Sequence, residues 1–146
     1  MLKRFFKRKQ KSIGQKMKDG TIYAGTSPDT GADMFVMPSD ASIKMNFNEA
    51  GKHMAQINKD KVFGQQDWRL PSKKELSVLY KNRNKGALKK TFDCKNTERE
   101  DFYVSSSQVF CPNGSWVQRF SDGEQEHHAL GFKHRVRYMR SNFKLT

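Results

Sequence analysis

The sequence predicts one small α+β domain, because two capped amphipathic helices occupy the middle of the chain and short β-like runs lie on both sides of them. Its 146 residues can enclose one hydrophobic core and are too few for two ordinary ones. The longest apolar runs, such as residues 34–37 and 109–111, fall far short of the roughly 20 residues that cross a bilayer.

The elements follow in order. Asp19 and Gly20 mark a turn, and Thr21, Ile22, Tyr23 and Ala24 read as a strand. A strong turn signal at residues 27–31 separates it from Met34, Phe35, Val36 and Met37, a second strand stopped by Pro38, so residues 21–37 form a β-hairpin. Asn46 caps the first helix: its side chain accepts from the N–H three residues on, where Glu49 reaches back. Phe47, Ala50, Met54 and Ile57 then form one apolar stripe, and the helix ends near Asn58 or Lys59.

Ser72 and Glu75 make a second capping box, and Leu76, Leu79 and Tyr80 continue one face of a helix running from Lys73 to Lys81. Residues 89–101 read as a charged loop. Residues 102–106, 116–120 and 135–139 are the C-terminal strands, with turns at 112–114 and 121–123.

The formal charge of +13 is unevenly placed. Residues 1–20 hold eight Lys and Arg against Asp19 alone, so residues 1–18 are expected to be a disordered basic arm in front of a domain spanning 19–146. Such an arm can meet an anionic membrane surface or a protein partner. The second excess is Lys73, Lys74, Lys81, Arg83, Lys85, Lys89, Lys90 and Lys95, opposed by Glu75 and Asp93. These cations can hold sulfate, phosphate or carboxylate groups of a polyanion. Nucleic acid is not the expected partner, since no groove-reading motif or aromatic RNA platform is present.

The basic start of the chain is followed by no apolar core or cleavage site of a signal peptide, so a cytoplasmic location is expected, or export by a route without a classical signal. Cys94 and Cys111 are then expected to be free thiols.

One stretch is specific. Asp67-Trp68-Arg69-Leu70-Pro71-Ser72-Lys73-Lys74-Glu75-Leu76 resembles the W-R-L-P-T-x-x-E-L signature of the Legionella collagen-like protein C-terminal domain family. The likeness continues in order: residues 47–50 resemble the family's preceding helix, residues 103–107 its Y-W-S-S-S strand, residues 116–120 its A-W-x-x-x-F strand and residues 136–140 its closing V-R-x-V-R.

The resemblance implies a C-type-lectin-like fold, related to that of formylglycine-generating enzymes, with two helices on short twisted antiparallel sheets and adjacent termini. Trp68, Arg69, Pro71, Ser72 and Glu75 read as scaffold: Trp68 offers a large apolar body, Arg69 bonds nearby loop carbonyls, and Pro71 with Ser72 fixes the helix entry. The serines 105–107 satisfy buried backbone groups. Val104 departs from the pattern by replacing a Trp, and Met139 by replacing a Val. Trp116 is followed by Val117 and Gln118 where sugar-binding C-type lectins carry the calcium-site Asn and Asp.

No catalytic residue, metal or cofactor is expected. An oxidase of the formylglycine-generating type needs a reactive cysteine pair, and the motifs around Cys94 and Cys111 do not match one. Glu124, Glu126, His127, His128 and Cys111 offer metal-ligand chemistry, but adjacent histidines on a strand point to opposite faces, and a solvated hairpin tip is the expected structure there. By resemblance the ligand surface falls in residues 108–134, where Trp116, Arg119, His127, His128 and Lys133 are expected to be exposed for stacking and hydrogen bonding. The expected function is non-catalytic binding of an anionic ligand, a sulfated or acidic glycan, with a protein-interaction or effector module directed by its arm as the alternative.

Overall fold

Six strands and two helices follow one another through residues 10–95 and 101–142, the parts of the chain described by the computed structural model. They are β1 (Ile22–Thr26), β2 (Asp33–Val36), α1 (Phe47–Lys59), α2 (Lys73–Asn82), β3 (Phe102–Phe110), β4 (Asn113–Arg119), β5 (Gln125–Ala129) and β6 (Met139–Asn142), with short 3-10 turns at Val62–Gly64 and Gly86–Leu88. The fold is α+β, with two three-stranded antiparallel sheets ordered β1-β2-β6 and β3-β4-β5.

Both helices begin as the sequence predicts. Each N-cap side chain, Asn46 or Ser72, accepts from the backbone N–H of the glutamate three residues on, and that glutamate accepts from the cap N–H. Two otherwise unpaired N–H groups are satisfied at each helix start. The hairpin also forms, β1 pairing with β2 through Ile22↔Val36 and Thr26↔Asp33. On the other side of β2 lies β6, so the first and last strands share one sheet with β2 between them. That arrangement is compatible with the C-type-lectin-like architecture implied by the resemblance.

Alternation along β3 divides the interior in two. Tyr103 joins Ile22, Met34, Leu76, Leu79, Phe120 and Met139 beneath α2, whereas Phe102 and Val104 join Ala50, Ile57, Trp68, Val117 and Tyr138 beside α1. Trp68 is fully buried, with its indole N–H on the Val62 carbonyl at 2.8 Å. Its backbone N–H and carbonyl are both bonded by the Asn58 amide, so the signature tryptophan is scaffold. Arg69 does more than expected. It bonds the Leu70 carbonyl at 3.3 Å, but its main partner is the Glu75 carboxylate, gripped through both oxygens at 2.7 and 2.8 Å.

Four expectations need correction. Of residues 124–128 only Glu124 lies in the exposed turn between strands: residues 125–129 form strand β5, paired with β4 through Trp116↔His127 and Ser115↔His128. The strand expected at 135–139 lies instead at 139–142, because residues 134–136 are held by isolated bridges and single bonds to Met45, Tyr103 and Ala41 rather than by a ladder. Strands β3 and β4 run closer together than expected, leaving only Cys111 and Pro112 between them. Residues 14–17, assigned by sequence to the disordered arm, bond to the β1 region: Gly14 N–H donates to the Tyr23 carbonyl and Met17 N–H to the Thr21 carbonyl. Residues 1–9, with Phe5 and Phe6, and residues 96–100 of the charged loop lie outside the described residues.

Among the described residues, no helix is long and apolar enough to cross a membrane. Cys94 and Cys111 are both free and exposed.

Candidate ligand-binding face

The site is built outward from α2. Its inner face buries Leu76 and Leu79, and the helical period turns Lys73, Lys74, Ser77, Val78 and Lys81 outward together. With Pro28 from the β1–β2 hairpin and Gln125 from β5, these residues line a depression of about 390 Å³. A second depression of about 240 Å³ shares Lys73 and Lys74, and adds Asp29, Ser72, Ser107, Gln108 and Trp116.

Lys73 joins the two. Its ammonium sits 3.5 Å from the centre of the Trp116 ring, a cation–π contact. Its backbone is fixed from both sides, the N–H donating to Ser107 Oγ at 2.9 Å and the carbonyl accepting from Gln125 Nε2 at 3.2 Å. Trp116 is half-buried rather than exposed, with His127 edge-on to it at 5.4 Å. The alternation of β4 and β5 puts Trp116, Gln125 and His127 on the α2 side of the sheet.

The helix entry beside this face is rigid. Glu75 is buried, and burial opposes its charge. Hydrogen bonds from Arg69, Ser72 and Ser27, together with the Arg69 charge, outweigh that and hold its carboxyl down at about 2. Ser72 Oγ also bonds Asp29, tying the β1–β2 hairpin to the start of α2.

The remaining basic residues disperse. Arg83 stacks on Tyr80 with its guanidinium carbon 3.9 Å from the ring centre. Lys85, Lys89 and Lys90 are exposed around the 3-10 turn at Gly86–Leu88, where the Ala87 N–H bonds the Gly14 carbonyl. Gly14 and Gly86 meet so closely that a Cβ on either would collide with the other's backbone segment. Arg119 is engaged by Asp122 at 2.6 Å and by Glu124. Lys133 is exposed near Glu49.

His128 is half-buried on the opposite side of β5 from His127, against Phe102 and His134. Among the described residues, no group of three or more His, Cys, Asp or Glu side chains is placed to hold a metal ion. At Cys94, burial pushes the thiol up, against the opposing influence of Arg83.

Of the residues singled out by sequence, the fold therefore brings Lys73, Lys74, Lys81, Trp116 and His127 to one face. Sequence reasoning did not single out Ser77, Gln125, Gln108 or Asp29, although residues 108 and 125 lie in the stretch to which the resemblance pointed, and it gave Ser107 only a role toward buried backbone groups. Ser77 was within reach, since 73, 77 and 81 follow one another at helical spacing. The others carry no local signal, because they arrive from three different strands or turns.

No curated protein matches the chain. The model of the Lcl C-terminal domain matches residues 8–140, nearly the whole length and every motif that carries the resemblance, and the chain belongs to that family.

Proposed function

We propose that the protein is a non-catalytic, lectin-like binding module whose basic face recognises an anionic ligand, a sulfated or acidic glycan. The observation that carries this reading is the seating of the Lys73 ammonium on Trp116, between two adjoining depressions edged by Lys74 and Lys81. The Lys73 ammonium covers one face of the Trp116 ring, so a sugar ring stacks there once Lys73 swings onto its sulfate or carboxylate substituent, with Lys74 and Lys81 adding positive charge at the rim. Ser77, Ser107, Gln108 and Gln125 supply neutral hydrogen bonds of the kind that orient hydroxyl groups.

Heparin affinity chromatography with a salt gradient tests the reading. The protein should be retained and then released as salt rises, because ion release dominates such binding. Lys73→Glu with Lys74→Glu should elute much earlier, and Trp116→Ala should lower affinity while leaving the salt dependence nearly unchanged. Equal elution of the wild type and the double variant would overturn it.

A further inference from the structure

On the other side of β5 from the basic face lies a chain of three titratable side chains. Glu126 Oε2 is 2.7 Å from His128 Nε2, and His128 Nδ1 is 3.3 Å from His134 Nε2. The charged carboxylate only accepts, so His128 carries its proton on Nε2 and, when neutral, presents a bare Nδ1. The bond from His134 is then an Nε2–H donation. That leaves His134 Nδ1 without a proton, in agreement with its burial without any partner.

Phe102 packs edge-on to both imidazoles, at 5.0 Å from His128 and 6.3 Å from His134, and Phe132 closes the outer side 6.2 Å from His128. His134 also exchanges two backbone bonds with Met45, the residue before the cap of α1. The chain of side chains therefore ties β5 to the segment that enters α1.

We infer that Glu126, His128 and His134 form a proton-sensitive latch that holds β5, and with it Gln125 and His127 of the basic face, in place. A second proton strains the latch wherever it lands, because each route ends in a polar group with nowhere to bond. On His134 Nδ1 it creates a buried cationic donor with no acceptor, and on His128 Nδ1 it either sets two N–H groups against each other or moves the His134 proton onto the buried, partnerless Nδ1. Burial first, then the His128 and Lys44 charges, push the His134 imidazole down to about 4. The sign follows. His134 supports the closed state fully above its ordinary value of 6.5, and that support is lost as pH falls from 6.5 towards 4. The groups facing the latch are Glu126, His128 and Lys44, with Arg119 5.3 Å from the Phe102 ring centre.

The link to ligand release rests on the proposed function; the latch itself does not. Amide hydrogen exchange on the full chain, in chelator-containing buffer at pH 7.5 and pH 5 and corrected for intrinsic rates, reads it directly. Protection across residues 125–129 and at Met45 and His134 should fall about tenfold or more at pH 5, while β1, β2 and β6 stay protected. His134→Phe, apolar against Phe102, should abolish the pH dependence. Should that variant fail to fold, Glu126→Gln should lower protection of residues 125–129 already at pH 7.5 and so shrink the difference from pH 5, because it removes the carboxylate acceptor that fixes the His128 ring.

Loss of protection that is uniform over all strands, or identical in wild type and variants, would overturn the latch. Heparin retention measured in parallel separates the two ideas. Absent retention at both pH values, with the local change intact, rejects the glycan reading alone. Retention that drops at pH 5 in the wild type and persists in His134→Phe supports the coupling. Retention unchanged in both, with the local change present, overturns the coupling.

Discussion

The two sheets use the same antiparallel pairing to opposite ends. In β1-β2-β6 every residue of β2 is buried, and the strand is covered on both faces. In β3-β4-β5 burial is complete only at the root: residues 102–105 are buried, whereas 106–110 alternate outward to Phe110, which is 77 % exposed. Burial on both faces fixes β2 inside the core of the first sheet. The second leaves the core as it extends, and at that departure Trp116, Gln125 and Ser107 become available to Lys73. The general lesson is that the candidate face forms where a sheet emerges from its packing.

The sharpest way to break this contrast is at the junction of β2 with the segment leading into β6. Arg137 has no exposed side-chain surface, pairs with Asp40 at 2.8 Å, donates to the Met37 carbonyl and Thr91, and lies 4.1 Å from the Phe92 ring centre. Arg137→Ala leaves Asp40 without its ion-pair partner in a largely buried place, with the Tyr103 hydroxyl still donating to it, and should cost about 3 kcal/mol in urea unfolding. An effect below about 1 kcal/mol would mean that this junction does not anchor β2 and β6.

A smaller effect is expected at the start of α2. Glu75→Gln should cost about 2 kcal/mol, reduced from the full value of a buried charge pair because Arg69 is about a third exposed. The pH dependence is the finer readout. Glu75 is depressed from its ordinary 4.5 to about 2, so its contribution is present above 4.5 and disappears as pH falls towards 2. The variant should lose stability less steeply than the wild type across that window, and parallel curves would rule out a role for this carboxylate.

Ser72→Ala removes the cap and the bond to Asp29, for about 1 kcal/mol by thermal melting. At the exposed end of the second sheet, Phe110→Ser should change stability by less than about 0.5 kcal/mol. A larger loss there would show that the outer half of β3 is packed against something and does not stand in solvent.

The local parts of this molecule were legible in the sequence. The two capping boxes and the β1–β2 hairpin depend on residues within a few positions of one another, so their geometry is written in short spacings that survive without any tertiary context. The family signature was legible for the same reason: Trp68 through Glu75 is one continuous entry into α2. Strand β5 was not. Gln125, Glu126, His127 and His128 are polar and show no apolar alternation, and they form a strand because β4 offers an unpaired edge, which no window of sequence reveals.

The candidate face divides in the same way. Lys73, Lys74 and Lys81 could be counted along the chain, and their shared helix face follows from the period of α2 alone. Which aromatic ring they meet could not be counted, nor which of the other cations lie elsewhere. The rule that neighbouring histidines on a strand face apart holds for His127 and His128, yet the partner of His128 is His134, brought back by the chain after β5. Composition and short-range spacing thus determined the helices, the hairpin and the α+β class, and the resemblance of residues 67–76 to a known signature pointed to the family. Tertiary structure alone decided the meeting of Lys73 with Trp116 and of His128 with His134, because each joins segments whose separation is fixed by strand register and core packing rather than by local backbone preference.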